Sequence, residues 1–302
     1  LTGAALTNLV QAAPQPVSHF PATAKRVVHV VLMGGLSHID SFDYKPDLAK
    51  AHGKPLQYKE RPATFFNQIG LIRKNDWAFK QRGKSGLWVS DLFPHLATCA
   101  DELAVVRSMV GTSANHTPAT FEELSGFQLN GFPVMGSWVS YGLGSETNNL
   151  PTYVVFPDSR GYPAGGTINW SNGFLPSAHQ GVAFGNGDTI IPDLKPAQPI
   201  AAETETASRQ LLKAMNRNDL ATFGAEDALI ARMRSHELAA RMQLAIPEVT
   251  DLNRETEVTR ESYGLNKNET KDFGRNCLMT RRLLEKGVRF VQLISGGSFG
   301  SP

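Results

Sequence analysis

A short segment in the N-terminal part of the sequence carries an imidazole and two carboxylates. It lies within residues 36–46 and contains His38, Asp40 and Asp43. Carboxylate oxygen and imidazole nitrogen are ligands for hard or borderline divalent ions such as magnesium, calcium, manganese and zinc. We therefore predict that His38, Asp40 and Asp43 bind a divalent metal ion or line an active site. The alternative is that Asp40 and Asp43 only cap turns and the helix that follows.

A second polar loop, residues 111–116, leads onto a predicted helix. Thr117 followed by Pro118 is typical of an N-cap and the first helical position. A helix N-terminus offers backbone N–H groups and the positive end of the helix dipole, which favour phosphate or sulfate. We predict that His116 is a metal ligand, an acid or base, or a nucleophile, and that Thr117 is a nucleophile unless it is only the N-cap. Asn115 either orients a substrate oxygen or closes the turn.

Both loops follow apolar runs that predict β-strands. Val27 to Met33 is a near-continuous β-branched run, typical of a strand buried on both faces of a parallel sheet. Ala104 to Val110 is a similar run before the second loop. The carboxyl ends of parallel strands meet at one edge of a sheet, where open α/β proteins bind ligands. We therefore expect Asp40, Asp43 and His116 to face one cleft at that edge.

Other periodic segments predict the rest of an α/β fold. Helices are predicted over 92–103, 117–124, 203–223, 225–245 and 270–286, and strands over 152–156 and 288–294. We expect the strands at 27–33, 105–109 and 288–294 to lie in one doubly wound, mainly parallel sheet. Residues from about 130 to 265 are expected to form an insertion with helical and irregular parts.

Composition and charge limit the classes of partner. The 302 residues carry a formal net charge of +2, and the Lys and Arg residues are scattered. Because nucleic-acid binders concentrate basic residues in a stripe, we expect no nucleic-acid partner. The two cysteines, Cys99 and Cys277, are far apart and have no metal-ligand spacing around them. Two buried free thiols are favoured over a disulfide.

The first residues of the sequence are small, apolar and uncharged. Leu1 to Ala13 has this composition, and prolines follow at positions 14, 16 and 21. The pattern is typical of the remnant of an export signal. We therefore predict such a remnant and an extended lead-in over 1–24, followed by one α/β domain over 25–302. No stretch reaches the roughly 20 apolar residues that cross a bilayer, so no transmembrane segment is expected.

Five longer stretches of the sequence resemble a known family. They are Gly34 to Pro46, Ser85 to Leu96, Gly136 to Gly144, Asn169 to Pro176 and Gly287 to Leu293. With these motifs, the sequence from about residue 25 to its end is similar to the bacterial domain-of-unknown-function family 1501, which is often labelled sulfatase-like. The resemblance implies a sheet of the alkaline phosphatase and sulfatase type, a divalent-metal hydrolytic site and export to the periplasm or the cell exterior.

The sequence departs from the sulfatase pattern in two places. Related sulfatases open the helix with a Cys/Ser-x-Pro-x-Arg motif; Pro118 matches it, whereas His116 stands at the nucleophile position and Thr120 replaces the arginine. Formylglycine chemistry is therefore set aside. The superfamily also places a metal-binding aspartate directly after the first strand, where this sequence has Gly34 and Gly35.

Members of the resembled family continue past the final strand into a Trp-Asp-x-His segment with further Asp, Glu and His residues. The resemblance therefore implies that the domain is truncated at its C-terminus and that the remaining metal ligands lie beyond Pro302. On this interpretation the 302-residue form is catalytically incomplete and binds divalent metal weakly or not at all.

Two functions are compatible with these residues. The first is an exported, metal-dependent hydrolase of phosphate or sulfate esters, with a small-molecule or glycan ester as substrate. The alternative is a non-catalytic relative that binds an anionic glycan or a protein partner at the cell surface. Asp40, Asp43 and His38 near the first strand favour the hydrolase. His116 and Thr120 favour the non-catalytic relative, because they replace the nucleophile and the arginine of the sulfatase motif.

Overall fold

The computed structural model describes residues 20–62, 64, 68–185, 190–191, 200–224 and 227–296. The elements in this part of the chain are, in order, β1 (Val27–Leu32), α1 (His38–Ser41), α2 (Asp47–Ala51), β2 (Phe79–Arg82), β3 (Leu87–Ser90), α3 (Pro94–Thr98), α4 (His116–Ser125), α5 (Met135–Leu143), β4 (Tyr153–Phe156), β5 (Val182–Ala183), α6 (Ala202–Phe223), α7 (Asp227–Thr250), α8 (Glu257–Ser262), α9 (Lys271–Glu285) and β6 (Phe290–Ser295). Short 3₁₀ turns lie at Ala100–Glu102, Gly166–Trp170, Ser177–His179 and Leu252–Arg254.

Four of the strands form one parallel sheet in the order β1-β6-β4-β5. The last strand in the sequence, β6, lies between β1 and β4: Val28 pairs with Val291, and Val291 pairs with Val154. The predicted parallel pairing of the runs at 27–33 and 288–294 is confirmed. Strand β4 and its neighbour β5 come from the segment that the sequence suggested was an insertion, so this segment also contributes to the central sheet.

Helices cover both faces of the sheet because the side chains of β4 and β6 alternate between two apolar clusters. Val154 and Phe156 point to a cluster that contains buried residues of α7 and α9. Tyr153 and Val155 point to the opposite cluster, which includes Leu124 of α4. Burial of both faces explains why the two strands are continuous apolar runs. The predicted α/β class with helices on both faces of the sheet is confirmed.

The prediction that β1 is buried on both faces is wrong. Val31 is fully buried on the α4 side, whereas Val28, Val30 and Leu32 are 41%, 46% and 39% exposed. Among the described strands, β1 pairs only with β6 and therefore lies at the edge of the sheet. A β-branched run indicates a strand, but it does not distinguish a central strand from an edge strand.

The predicted strand at 105–109 is also wrong. After the 3₁₀ turn at Ala100–Glu102 this segment has no strand pairing, and Val106, Met109 and Val110 are exposed. Strand propensity takes effect only where a neighbouring strand supplies hydrogen bonds and side-chain contacts. The helix predicted over 92–103 is correspondingly shorter, because α3 ends at Thr98.

An antiparallel hairpin of β2 and β3 was not predicted from the sequence. Gln81 pairs with Trp88, and the turn contains Gly83 and Gly86, both with positive φ. Asp101 accepts hydrogen bonds from two backbone N–H groups of this turn, at 3.0 and 2.8 Å. A side chain on Gly83 would overlap the Asp101 carboxylate, so this close approach requires glycine. Two short runs separated by glycines were the available signal.

The other predicted helices agree with the structure, and α5 (Met135–Leu143) was not predicted. α6, α7 and α9 lie within a few residues of the predicted ranges, and Gly287 follows α9 with φ +92°. No described helix is long and apolar enough to cross a membrane. Cys99 and Cys277 are both free, but Cys99 is exposed, which corrects the expectation that both thiols are buried. The predicted signal remnant at 1–13 lies outside the described residues.

Candidate active site at the carboxyl edge of the sheet

The loops that follow β1, β4 and β6 meet at the carboxyl edge of the sheet. Met33, directly after β1, donates its N–H to the Ser295 carbonyl at 2.9 Å. Gly296, directly after β6, lies so close to Met33 that an added Cβ would be 2.7 Å from the Met33 Cβ. Gly296 also donates its N–H to Asp158 Oδ2, at 2.6 Å, and Asp158 follows β4. This edge is where open parallel sheets bind ligands.

Asp158 is a buried, ionised residue that the sequence analysis missed. It is 8% exposed, and Arg160 binds its two carboxylate oxygens through Nε and Nη2, each at 2.9 Å. The hydrogen bonds from Arg160 lower the pKa of Asp158 to about 2, against the opposing effect of burial. The available signal was the position of Asp158 two residues after the predicted strand that ends at Phe156. The rule that drew attention to Asp40 after the first strand applies equally there.

The second loop enters α4 with a different N-cap from the one predicted. The side chain of Asn115 accepts a hydrogen bond from the Thr117 N–H at 3.3 Å, and the helix begins at His116. Asn115 is therefore the N-cap, and Thr117 is not. Pro118 falls in the first turn, where the missing N–H breaks no helical hydrogen bond. Of the two roles given for Asn115, this hydrogen bond shows that it closes the turn, and a role in orienting a substrate oxygen stays a prediction.

His116 lies against the end of β1. A Cβ added to Gly34 would be 3.3 Å from His116 Cε1, so the imidazole packs on the Gly34 backbone, which has φ +83°. Thr120 donates to the His116 carbonyl at 2.7 Å and contacts Met33 Sδ at 4.0 Å. These contacts fix the start of α4 on the loop after β1. The imidazole itself is exposed at the positive end of the helix.

Asp40 is held by two neutral donors. Ser37 Oγ donates to Asp40 Oδ2 at 2.6 Å, and Asn75 Nδ2 donates to Oδ1 at 3.0 Å. The hydrogen bonds from Ser37 and then Asn75 lower the pKa of Asp40. Asp40 thus joins α1 to the segment before β2.

Asp43 is held by two cations. Its carboxylate lies 2.9 Å from Lys45 Nζ and 3.7 Å from a guanidinium nitrogen of Arg107, and its side chain is 13% exposed. The hydrogen bond from Lys45 contributes most to lowering the pKa of Asp43. Because Arg107 lies shortly before the second loop, this ion pair connects the two polar loops. His38 accepts the Asp43 N–H through its backbone carbonyl at 3.0 Å, and its side chain is exposed.

The residues predicted to bind metal have the right chemical types, but their carboxylates already have partners. Asp40 accepts from Ser37 and Asn75, and Asp43 is paired with two cations. Among the described residues, no group of three or more His, Cys, Asp or Glu side chains is placed to share one ion. A metal ion at Asp43 would have to displace Lys45 and Arg107. The assignment of His38, Asp40 and Asp43 as metal ligands stays a prediction.

The fold and the site together define a class of protein. It is an α/β protein with a parallel sheet whose carboxyl edge carries charged side chains in the loops after its strands. The family described as "Protein of unknown function (DUF1501)" matches residues 24–299, and the chain belongs to this family. The family resemblance found in the sequence is confirmed. No curated protein and no solved structure matches the chain.

Proposed function

We propose that the domain is an exported, sulfatase-like hydrolase of phosphate or sulfate esters, with its reaction at the carboxyl edge of the sheet. The observation that carries this proposal is the position of His116. Its exposed imidazole lies at the N-terminus of α4 and against Gly34, where the loops after three parallel strands meet. An imidazole there is suited to act as acid or base, or as nucleophile, on a bound ester.

Side chains supply more of the proposed anion recognition than the backbone of α4 does. The Thr117 N–H is bonded to Asn115, the Ala119 N–H to the Asn115 carbonyl, and Pro118 has no N–H. The helix therefore offers fewer backbone donors than its sequence suggested. Arg160 is half exposed and uses only part of its guanidinium on Asp158, so its other N–H groups are available to a phosphate or sulfate.

The proposal includes a divalent metal ion bound by His38, Asp40 and Asp43. Such an ion would polarise the ester oxygen. In this proposal Asp40 and Asp43 contribute carboxylate oxygens, and Lys45 and Arg107 hold Asp43 ionised in the absence of metal.

The alternative function is binding without turnover. Its supporting observation is that Asp43 is neutralised by Lys45 and Arg107, so that the loop presents paired charges rather than vacant metal ligands. On this alternative the same edge recognises an anionic glycan or a protein partner at the cell surface.

Turnover of 4-nitrophenyl phosphate and 4-nitrophenyl sulfate, each with magnesium, manganese, calcium or zinc, tests the proposal. We expect metal-dependent release of 4-nitrophenol that falls by at least about 100-fold in His116→Ala, as for loss of a general acid or base. His95→Ala is the matched control, because His95 is an exposed histidine on α3. Saturable binding of a sulfated glycan with no turnover of either ester would favour the alternative. Cell fractionation of the protein tests its export.

A further inference from the structure

A cleft of about 600 Å³ lies between the middle of α7 and the segment that leads into β5. Its walls include Ser177 and Gln180 on one side and Ser235 and Ala239 on the other. Strand β5 begins at Val182, which pairs with Val154 near the start of β4. The cleft is therefore at the amino edge of the parallel sheet, opposite the candidate active site. Binding at this cleft is independent of the proposed hydrolase function.

The inner wall of the cleft is apolar and rests on the protein core. Met242 is buried in the cluster between the sheet and α7, and Val182, Ile191 and Leu238 pack against that cluster. Small-molecule sites have volumes of about 300–1,000 Å³ and are lined mainly by apolar side chains with a few polar groups. The volume and lining of this cleft correspond to those of such a site.

The basic side chains of the cleft have no acidic counterpart in its described lining. They are Arg232 and His236. Arg232 forms no ion pair with any residue that the structure describes, in contrast to Arg160 or Arg282. The electrostatic complement of this surface is an anion.

We propose that the cleft binds a small amphipathic anion. Its apolar body lies on Val182, Leu238 and Met242, and its carboxylate, sulfonate, sulfate or phosphate group pairs with Arg232. Ser235, Gln180 and Gln243 supply hydrogen bonds at the rim, and Gln243 is held in place by Arg209 of α6 at 2.8 Å.

Binding of naphthalene-2-sulfonate, measured by isothermal titration calorimetry, tests this proposal. The matched ligand is naphthalene-2-sulfonamide, which has nearly the same shape without the charge. We expect one site per chain and at least about tenfold weaker binding of the sulfonamide, since hydrogen bonds to charged groups contribute more than neutral ones. Neither compound is an ester, so hydrolysis at the other edge of the sheet does not affect the measurement.

Variants locate the binding to this cleft. Arg232→Gln is expected to weaken sulfonate binding by about tenfold or more and to leave sulfonamide binding unchanged. Arg217→Gln, which removes an exposed arginine from α6, is the control and is expected to change neither. Ala239→Trp on α7 and Ser177→Trp on the opposite wall each fill the cleft and should abolish binding, with folding checked by thermal melting. The proposal would be overturned by any one of three results. These are undiminished sulfonate binding in Arg232→Gln, undiminished binding in a folded tryptophan variant, and no saturable binding by the unmodified chain.

Discussion

The backbone N–H of Gly296 donates to Asp158 Oδ2 at 2.6 Å and thereby ties the loop after β6 to the loop after β4. The same carboxylate holds the guanidinium of Arg160 through two further bonds of 2.9 Å. Both oxygens of Asp158 are thus fully used in a buried position, and an uncharged side chain would leave charged or backbone donors without acceptors. A single ionised residue therefore fastens two loops of the candidate active site.

Replacement of Asp158 by asparagine should destabilise the domain in a pH-dependent way. The pKa of Asp158 is about 2 in the folded chain, below its usual 3.8, so the ionised form stabilises the fold above the unfolded pKa. We expect Asp158→Asn to lower the free energy of unfolding by about 1–2 kcal/mol at pH 7. This contribution is lost as the pH falls from about 4 to about 2, so the difference between the proteins should shrink over that range.

Urea unfolding at pH 7, 4 and 3 measures this effect. Asp47→Asn is the control, since Asp47 is highly exposed and pairs only with Lys50 in the described structure. A difference between Asp158→Asn and the unmodified chain that stays constant with pH would show that the charge of Asp158 does not stabilise the fold.

The sequence predicted the elements better than their arrangement. The apolar runs at 27–33, 152–156 and 288–294 are strands, because each buries at least one face against helices. The placement of β6 between β1 and β4 depends on pairing between residues more than a hundred positions apart, which local patterns do not encode. For the same reason the exposed run at 104–110 resembles a strand in sequence but has no partner among the described strands.

The candidate site was predictable only in part. The polar loops around Asp40 and His116 were identified because they follow apolar runs, and Gly34 and Arg107 do connect them to each other and to β1. The ion pair between Asp43 and Arg107 depends on how the chain folds back and was not predictable from local patterns, whereas the other partner, Lys45, is only two residues away in the same loop. Asp158 was missed because its strand was assigned to an insertion, although a buried strand followed by an acid is the same signal as in the first loop.

Gly34→Ala should disturb both the backbone and the imidazole of His116. Gly34 and Gly35 both have φ +83°, but only at Gly34 would a Cβ meet another residue, His116 Cε1 at 3.3 Å. The backbone conformation alone costs about 1–2 kcal/mol for a residue with a Cβ. Gly35→Ala therefore measures the backbone effect, and the excess in Gly34→Ala measures the contact with His116. We expect a larger loss of stability in Gly34→Ala on urea unfolding and a shifted His116 resonance in NMR spectra; equal effects of the two variants would contradict the contact.

Capping of α4 by Asn115 predicts a second stability difference. Asn115→Ala removes the side-chain acceptor of the Thr117 N–H and should lower the free energy of unfolding by about 1 kcal/mol. Thr117→Ala leaves the cap intact and should have a smaller effect. The same variant also tests the predicted catalytic role. If Thr117 is a nucleophile, Thr117→Ala should lose ester turnover while its free energy of unfolding stays nearly unchanged. Destabilisation by Thr117→Ala rather than by Asn115→Ala would return the capping role to Thr117.

The two thiols should differ in reactivity. Cys99 is exposed, whereas burial raises the pKa of the Cys277 thiol to about 11. Because the thiolate is the reactive form, Ellman's reagent at pH 8 should modify one thiol rapidly and the second only slowly. Cys99→Ser should remove the fast phase, and Cys277→Ser should leave it. In denaturant both thiols should react at once; a single fast phase with two thiols in the folded chain would show that Cys277 is not protected.

Competition between Lys45 and a metal ion for Asp43 gives the sharpest test of the N-terminal loop. If His38, Asp40 and Asp43 bind a divalent ion, the ion must displace the ammonium group that lies 2.9 Å from Asp43 Oδ2. We therefore expect weak binding of manganese or zinc by the unmodified chain and tighter binding by Lys45→Gln, in which Asp43 keeps only its longer ion pair. Lys50→Gln is the matched control, since Lys50 pairs with the exposed Asp47 and leaves Asp43 untouched. Calorimetric titration of the three proteins measures the effect, and Asp43→Asn should abolish any gain when combined with Lys45→Gln. Equal metal affinities in all of these variants would show that this loop is not the metal site. The carboxylates of Asp40 and Asp43 would then have only a structural role, through their hydrogen bonds and ion pairs.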